Sequence, residues 1–128
     1  MKISFDSIKP VYIQIAEAIE DEIIYGKLNE GDSCYSQLII AKELNVNPAT
    51  AAKGINVLVQ KGILEKQRGL SMSVVLGAKD FLLKERKEGG LMELISNLIN
   101  ETDKLKLSQN DLIKLIEAQY RERGNKNE

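Results

Sequence analysis

A mainly α fold with one small β-hairpin is what this sequence predicts, and three observations predict it. Two helical stretches are separated by only Asn45-Val46-Asn47-Pro48, two strand-like runs flank Gln67-Arg68-Gly69-Leu70, and helical periodicity with apolar stripes returns after residue 79. In chain order these give a winged helix-turn-helix over residues 1–76 and a two-helix C-terminal dimerisation region over 77–128.

The first helix is expected to start at Pro10, because a residue without an N–H suits a position where that N–H has no partner. Tyr12, Ile15, Ile19 and Ile23 then recur at three- and four-residue spacing, which makes one apolar stripe, and Gly26 closes the helix. A turn-rich connection over 26–32 leads to Ser36, which can cap a short helix carrying Ile40, Ala41 and Leu44 on its inner side. At the break, Asn45 tolerates the left-handed conformation, Val46 plugs the corner, Asn47 caps and Pro48 takes the first helical position. Helices joined so tightly cross steeply. The second runs to about Lys61 with Ala51, Ile55 and Leu58 inward and Gly62 as its stop. Ile63-Leu64-Glu65-Lys66 and Ser71-Met72-Ser73-Val74-Val75 read as the two strands of a wing.

Beyond the wing, the pair Gly89-Gly90 should weaken or bend a helix whose apolar face is Leu91, Leu94, Ile95, Leu98 and Ile99. Ser108 with Asp111 resembles a capping box for a last helix, in which Leu112, Leu115 and Ile116 continue one side. Two amphipathic helices without a domain around them need a partner, and a second copy fits best, because a stripe of this size is rarely left exposed in a monomer. Residues 124–128 read as a frayed tail.

Composition narrows the function. The 128 residues, 43% hydrophobic and 29% charged, suit a small globular chain, and no run approaches the roughly 20 apolar residues that cross a bilayer. The N-terminus lacks the apolar core of a signal peptide, so a cytoplasmic location with no membrane partner is expected. There is no histidine, a single cysteine (Cys34, read as a small packing residue) and no metal-ligand spacing, so neither a catalytic residue, a metal nor a cofactor is expected. The net charge of −1 is unlike many nucleic-acid-binding domains, yet residues 42 to 69 hold five basic side chains (Lys42, Lys53, Lys61, Lys66, Arg68) against two acidic ones. The acidic residues Glu17, Glu20, Asp21 and Glu22 lie on the first helix instead.

In a helix-turn-helix the second helix enters the major groove of double-stranded DNA, and its N-terminal outward residues approach the base edges. Here those are Ala49, Thr50, Ala52 and Lys53, with Asn56 one turn on. Thr50 can donate to a base or phosphate and Lys53 supplies a point charge, whereas the alanines offer contact to a thymine methyl. Asn47 stands at the start of that helix, and Ser36 and Gln37 at the start of the preceding one can aim a hydroxyl and N–H groups at a phosphate. Arg68 and Gly69 form the wing tip.

With those residues in place, the chain resembles the GntR family of transcriptional regulators, in particular its short YtrA-like branch. Pro10-Val11-Tyr12-Ile13-Gln14-Ile15 is similar to that family's Pro-Leu-Tyr-x-Gln-Ile opening, and residues 26–32 to its Gly-x-Leu-x-Pro-Gly-Asp connection. Asn47-Pro48-Ala49-Thr50 resembles the Asn-Pro-Asn-Thr start of the recognition helix, Arg68-Gly69-Leu70-Ser71-Met72 the Arg-Gly-x-Gly-x wing, and Leu105-Lys106-Leu107-Ser108 the Leu-Gly-Leu-Ser element before the final helix. The resemblance implies a homodimer that binds an inverted-repeat operator, often repressing transporter genes, without a large ligand domain. The departures are Leu38 where the family commonly has a DNA-contacting arginine, Ser71 for a wing glycine, and Ala52 where many relatives outside this branch carry arginine. A winged-helix module that pairs with another protein is the alternative reading. No convergent polar set defines a small-molecule effector; if one binds, its place is expected between the C-terminal helices of a dimer and the DNA-binding domain.

Overall fold

The computed structural model describes residues 1–69 and 71–126, with the side chain of Lys126 left out. Leu70 of the expected wing turn and the last two residues of the expected tail therefore lie outside the described residues. The chain divides into two compact units, Met1–Lys84 and Glu85–Glu128.

In the first unit, α1 (Val11–Ile24) starts one residue later than expected: Pro10 is its cap, with extended backbone, and its carbonyl accepts the N–H groups of Ile13 and Gln14 at 3.1 Å. Gly26, at φ +82°, ends it as the left-handed residue of a Schellman turn in which the Lys27 N–H reaches the Glu22 carbonyl at 2.9 Å. α2 (Gln37–Leu44) is capped by Ser36, whose Oγ accepts the Ile39 N–H at 3.2 Å. The turn after it matches expectation closely. Asn45 takes φ +54°, the Val46 N–H returns to the Ala41 carbonyl, Asn47 Oδ1 accepts the Ala49 N–H at 2.8 Å, and Pro48 opens α3 (Pro48–Gln60).

β1 (Leu64–Glu65) pairs antiparallel with β2 (Ser73–Val74), Leu64 opposite Val74 and Glu65 opposite Ser73. Both strands are shorter than the sequence predicts, and β2 also uses its other edge. The Gly31 N–H donates to the Val74 carbonyl (2.8 Å), the Val74 N–H to Asp32 (2.9 Å) and the Cys34 N–H to Met72 (2.7 Å). This third segment, read from sequence only as a turn-rich connection, braces a hairpin that two strands alone would hold marginally.

α4 (Ala78–Glu85) follows, its start held by the Glu30 carboxylate, which accepts the Gly77 N–H at 2.7 Å. The first unit runs past residue 76 because Ala78 and Leu82 are buried in its core with Ile15, Ile19 and Ile23 of α1, Ile40 and Ala41 of α2, Ala51, Ile55 and Leu58 of α3, and Ile63, Leu64 and Val74 of the hairpin. Each such Ile or Leu contributes roughly 1.5–3 kcal/mol through burial.

In the second unit the Gly89-Gly90 pair lies in a π-helical turn, Arg86–Leu91, ahead of α5 (Met92–Lys104). Glycine's backbone freedom accommodates the wider turn. The turn that closes α5 has Lys106, a non-glycine residue, at φ +58°, and there the Leu107 N–H reaches the Thr102 carbonyl at 3.0 Å. α6 (Gln109–Lys126) begins with the expected reciprocal box: the Ser108 N–H donates to Asp111 Oδ2 at 3.0 Å and the Asp111 N–H to Ser108 Oγ at 3.1 Å. Donation from the Ser108 backbone N–H, and after it from the Ser108 side chain, holds the Asp111 carboxyl below its ordinary range. Residues 124–126, expected as tail, continue α6.

Candidate nucleic-acid interface

The turn at 45–47 and the wing together fix which side of α3 faces outward. Ala51, Ile55 and Leu58 are turned into the core, so Ala49, Lys53 and Asn56 are left exposed and Thr50 and Ala52 half-buried. Each of the positions singled out from sequence can be placed. Gln37 is exposed in the first turn of α2, where helix geometry leaves N–H groups without an intrahelical acceptor, and Ser36 is half-buried with its Oγ used as the cap. Asn47 is exposed, but its carbonyl oxygen is engaged in capping α3. Arg68 and Gly69 are exposed at the wing tip, and Gly69 has φ +71°, a value for which glycine is the easy residue.

Between α3, the start of α2 and the wing lies a groove of about 520 Å³. Ala52, Ile55, Val59 and Met72 make it apolar, while Ser36, Gln37, Asn56, Lys66 and Ser71 supply its polar edge. From sequence Lys66 counted only as one charge of a basic face and Met72 only as a wing residue, because nothing in the spacing of strand residues says which of them look back at a helix.

The electrostatics differ from the simple count. Lys61, the C-cap of α3, places its ammonium 2.6 Å from Glu20 Oε2, a carboxylate whose side chain is only 4% exposed. That lysine is satisfied inward and is withdrawn from the basic face. Lys42, Lys53, Lys66 and Arg68 remain exposed. Lys53 has a partner that sequence reasoning missed: its ammonium lies over the ring of Tyr12, 4.2 Å from the centroid. The Tyr35 hydroxyl donates to the Glu22 carboxylate, which together with desolvation pushes its pKa up to about 12. Burial pushes the Cys34 thiol up to about 11, so it is protonated and unreactive at neutral pH. Among the described residues no His, Cys, Asp or Glu cluster is arranged to hold a metal ion, and no helix is long and apolar enough to cross a membrane.

No model of a protein family matches the chain. Among curated proteins it is similar to YhcF of Bacillus subtilis, an uncharacterized HTH-type transcriptional regulator, with 26% identity over 114 residues covering 89% of this chain and 93% of that protein. It is also similar to MngR of Escherichia coli, a mannosyl-D-glycerate transport/metabolism system repressor, with 34% identity over 61 residues that span 48% of this chain and 25% of MngR. Among solved structures, a GntR family transcriptional regulator from Listeria monocytogenes superposes with a TM-score of 0.73 and 27% identity over 89% of this chain and 98% of its own. YtrA from Sulfolobus acidocaldarius, a GntR-family transcription factor, gives 0.54 and 26% over 95% and 97%. The AraR DNA-binding domain, solved in complex with its operator ORX1, gives 0.53 and 25% over 59% and 93%. These relatives are transcriptional regulators and not enzymes. Nearly from end to end, then, this chain is similar in sequence and in its winged helix-turn-helix fold to transcriptional regulators of the GntR family, YtrA among them.

Proposed function

We propose that the chain acts in the cytoplasm as a homodimeric repressor that binds an inverted-repeat operator in double-stranded DNA. The observation that carries this reading is the α2–turn–α3 arrangement, which leaves Ala49, Thr50 and Lys53 outward on the first turns of α3 beside an exposed wing tip at Arg68 and Gly69. In that geometry α3 lies in the major groove, Thr50 and Lys53 donate to bases or phosphates, and Ala49 and Ala52 meet thymine methyl groups. Asn47, through the amide nitrogen not used in capping, Ser36 and Gln37 contact phosphates, and Arg68 reaches the minor groove or its edge. The winged unit, with its DNA-reading elements in residues 1–76 and α4 packed into its core, reads DNA, and the helices beyond it join two copies.

Dimerisation is supported by the second unit. Leu91, Leu94, Ile95, Leu98, Ile99, Leu115 and Ile116 are between 39% and 66% exposed, with Leu112 half-buried beside them. A face this apolar is ordinarily covered, and a two-fold pair of such helices covers it with itself. Repression, with transport genes as targets, follows the description of MngR.

The test is a fluorescence titration on DNA from the chain's own promoter over a range of salt, with sedimentation of the free protein. Submicromolar binding that weakens steeply with salt, by a dimer, is expected. Failure to bind any DNA at low salt overturns it and favours a second reading, a winged module that pairs with protein, for which Leu38, 68% exposed on α2, is the specific observation.

A further inference from the structure

Two lysines on or beside α3 meet different fates. Lys61 faces a carboxylate, which takes up its charge, whereas Lys53 faces a neutral ring, which orders the side chain and leaves the charge in place. We propose that Tyr12 is a positioning residue for DNA binding: its ring holds the Lys53 ammonium beside the second turn of α3, presented to the phosphate backbone. This rests on the reading of α3 as the DNA-facing helix.

Three features make the pair a built one. Tyr12 is half-buried in the first turn of α1, whose start is fixed by the Pro10 carbonyl, so the ring is a firm platform and not a second mobile side chain. The residue next to Lys53 is Gly54, and a Cβ there would fall 2.9 Å from the Tyr12 carbonyl oxygen. The two helices are therefore closely packed beside the pair. Finally, Lys53 is exposed, and an ammonium resting on one ring face keeps its other side open to an anion. A free lysine side chain loses much rotamer freedom when it is fixed on a phosphate, and a ring that has already restricted it reduces that loss.

The test uses the full chain on its own promoter DNA, with affinity measured against salt for Tyr12→Phe, Tyr12→Leu, Lys53→Gln and the double variant Tyr12→Leu/Lys53→Gln. Tyr12→Phe should bind within about twofold of the unaltered chain, and Tyr12→Leu should weaken binding roughly three- to tenfold with the salt slope unchanged. Lys53→Gln should lower that slope by about 1, and in its background Tyr12→Leu should have no effect. A second readout needs no DNA: the Lys53 Hε proton resonances should be shifted upfield by the ring in the unaltered chain and in Tyr12→Phe, and return to ordinary values in Tyr12→Leu. Tyr12→Leu binding as the unaltered chain does, while Lys53→Gln still lowers the slope, overturns the inference alone. So does an equal loss from Tyr12→Leu with and without Lys53, which marks a merely structural role. If Lys53→Gln changes neither affinity nor slope, the assignment of Lys53 to DNA falls and the inference falls with it, whatever the resonances show.

Discussion

Gly54 and Ile15 are packed so closely that a Cβ on the glycine would lie 2.9 Å from Cγ2 of the isoleucine. A glycine inside a helix ordinarily costs about 1 kcal/mol relative to alanine, so its presence in α3 calls for a reason. The reason is the neighbouring α1, whose backbone oxygen at Tyr12 would be just as near and which cannot swing aside as a flexible side-chain end can. We expect Gly54→Ala to destabilise the fold by about 1 kcal/mol net, because overpacking of roughly 1–3 kcal/mol exceeds the propensity gain. A urea midpoint that rises in Gly54→Ala would show that the helices separate freely.

Glu20 and Lys61 tie α1 to the end of α3, and the carboxylate is the buried partner. Removing the ammonium that faces it in Lys61→Met should cost about 2–3 kcal/mol in stability, near the lower range for breaking a buried pair because Lys61 itself is partly exposed. Since this charge is already committed inward, the same variant should leave the salt dependence of DNA binding unchanged, in contrast to Lys53→Gln. Equal salt slopes for Lys61→Met and Lys53→Gln would contradict the distinction.

What could be read from the sequence follows from how local the cause is. The caps at Ser36 and Asn47, the left-handed Asn45 and the box of Ser108 with Asp111 are written within four residues, and each stands where the spacing puts it. The inward faces of α1 and α3 repeat every three or four residues and were legible for the same reason. The outward positions of α3 follow as the complement of that core. Pairings across the chain carry no such signal. Nothing near Lys53 points to Tyr12, nothing near Lys61 points to Glu20, and the segment at 31–34 joins the sheet through backbone groups that every residue has. Charge counted along the sequence therefore included a lysine that the fold withdraws.

Lys106 is the left-handed residue that closes α5, at φ +58°, in a position where glycine carries no Cβ penalty. Its N–H donates to the Asp103 carbonyl and the next N–H to Thr102, so the turn is fully formed in spite of the side chain. Lys106→Gly should stabilise the second unit by about 0.5–1 kcal/mol, the relief of backbone strain exceeding the extra freedom of glycine in the unfolded chain. A higher urea or thermal midpoint checks it, and a lower one would mean that the lysine's other contacts outweigh the strain.

Alkali should weaken the first unit through two neighbours, Cys34 and Tyr35. Both are held protonated in the fold, the thiol by burial up to about 11 and the phenol chiefly by its bond to Glu22 up to about 12. Because the folded chain keeps these protons at a pH where the unfolded chain releases them, the contribution is fully present below the unfolded values, about 8.5 for a thiol and about 10 for a phenol. It is lost as pH rises through the folded values. For Cys34, which is almost wholly buried, the loss as pH rises from the unfolded to the folded value should be about 3 kcal/mol. Urea midpoints measured from pH 7 to 11 should therefore fall, and Cys34→Ala, less stable at pH 7 by the lost packing, should show a shallower decline. Tyr35→Phe should remove the later part of the fall, above pH 10. Parallel curves for the unaltered chain and Cys34→Ala would show that the thiol does not take part.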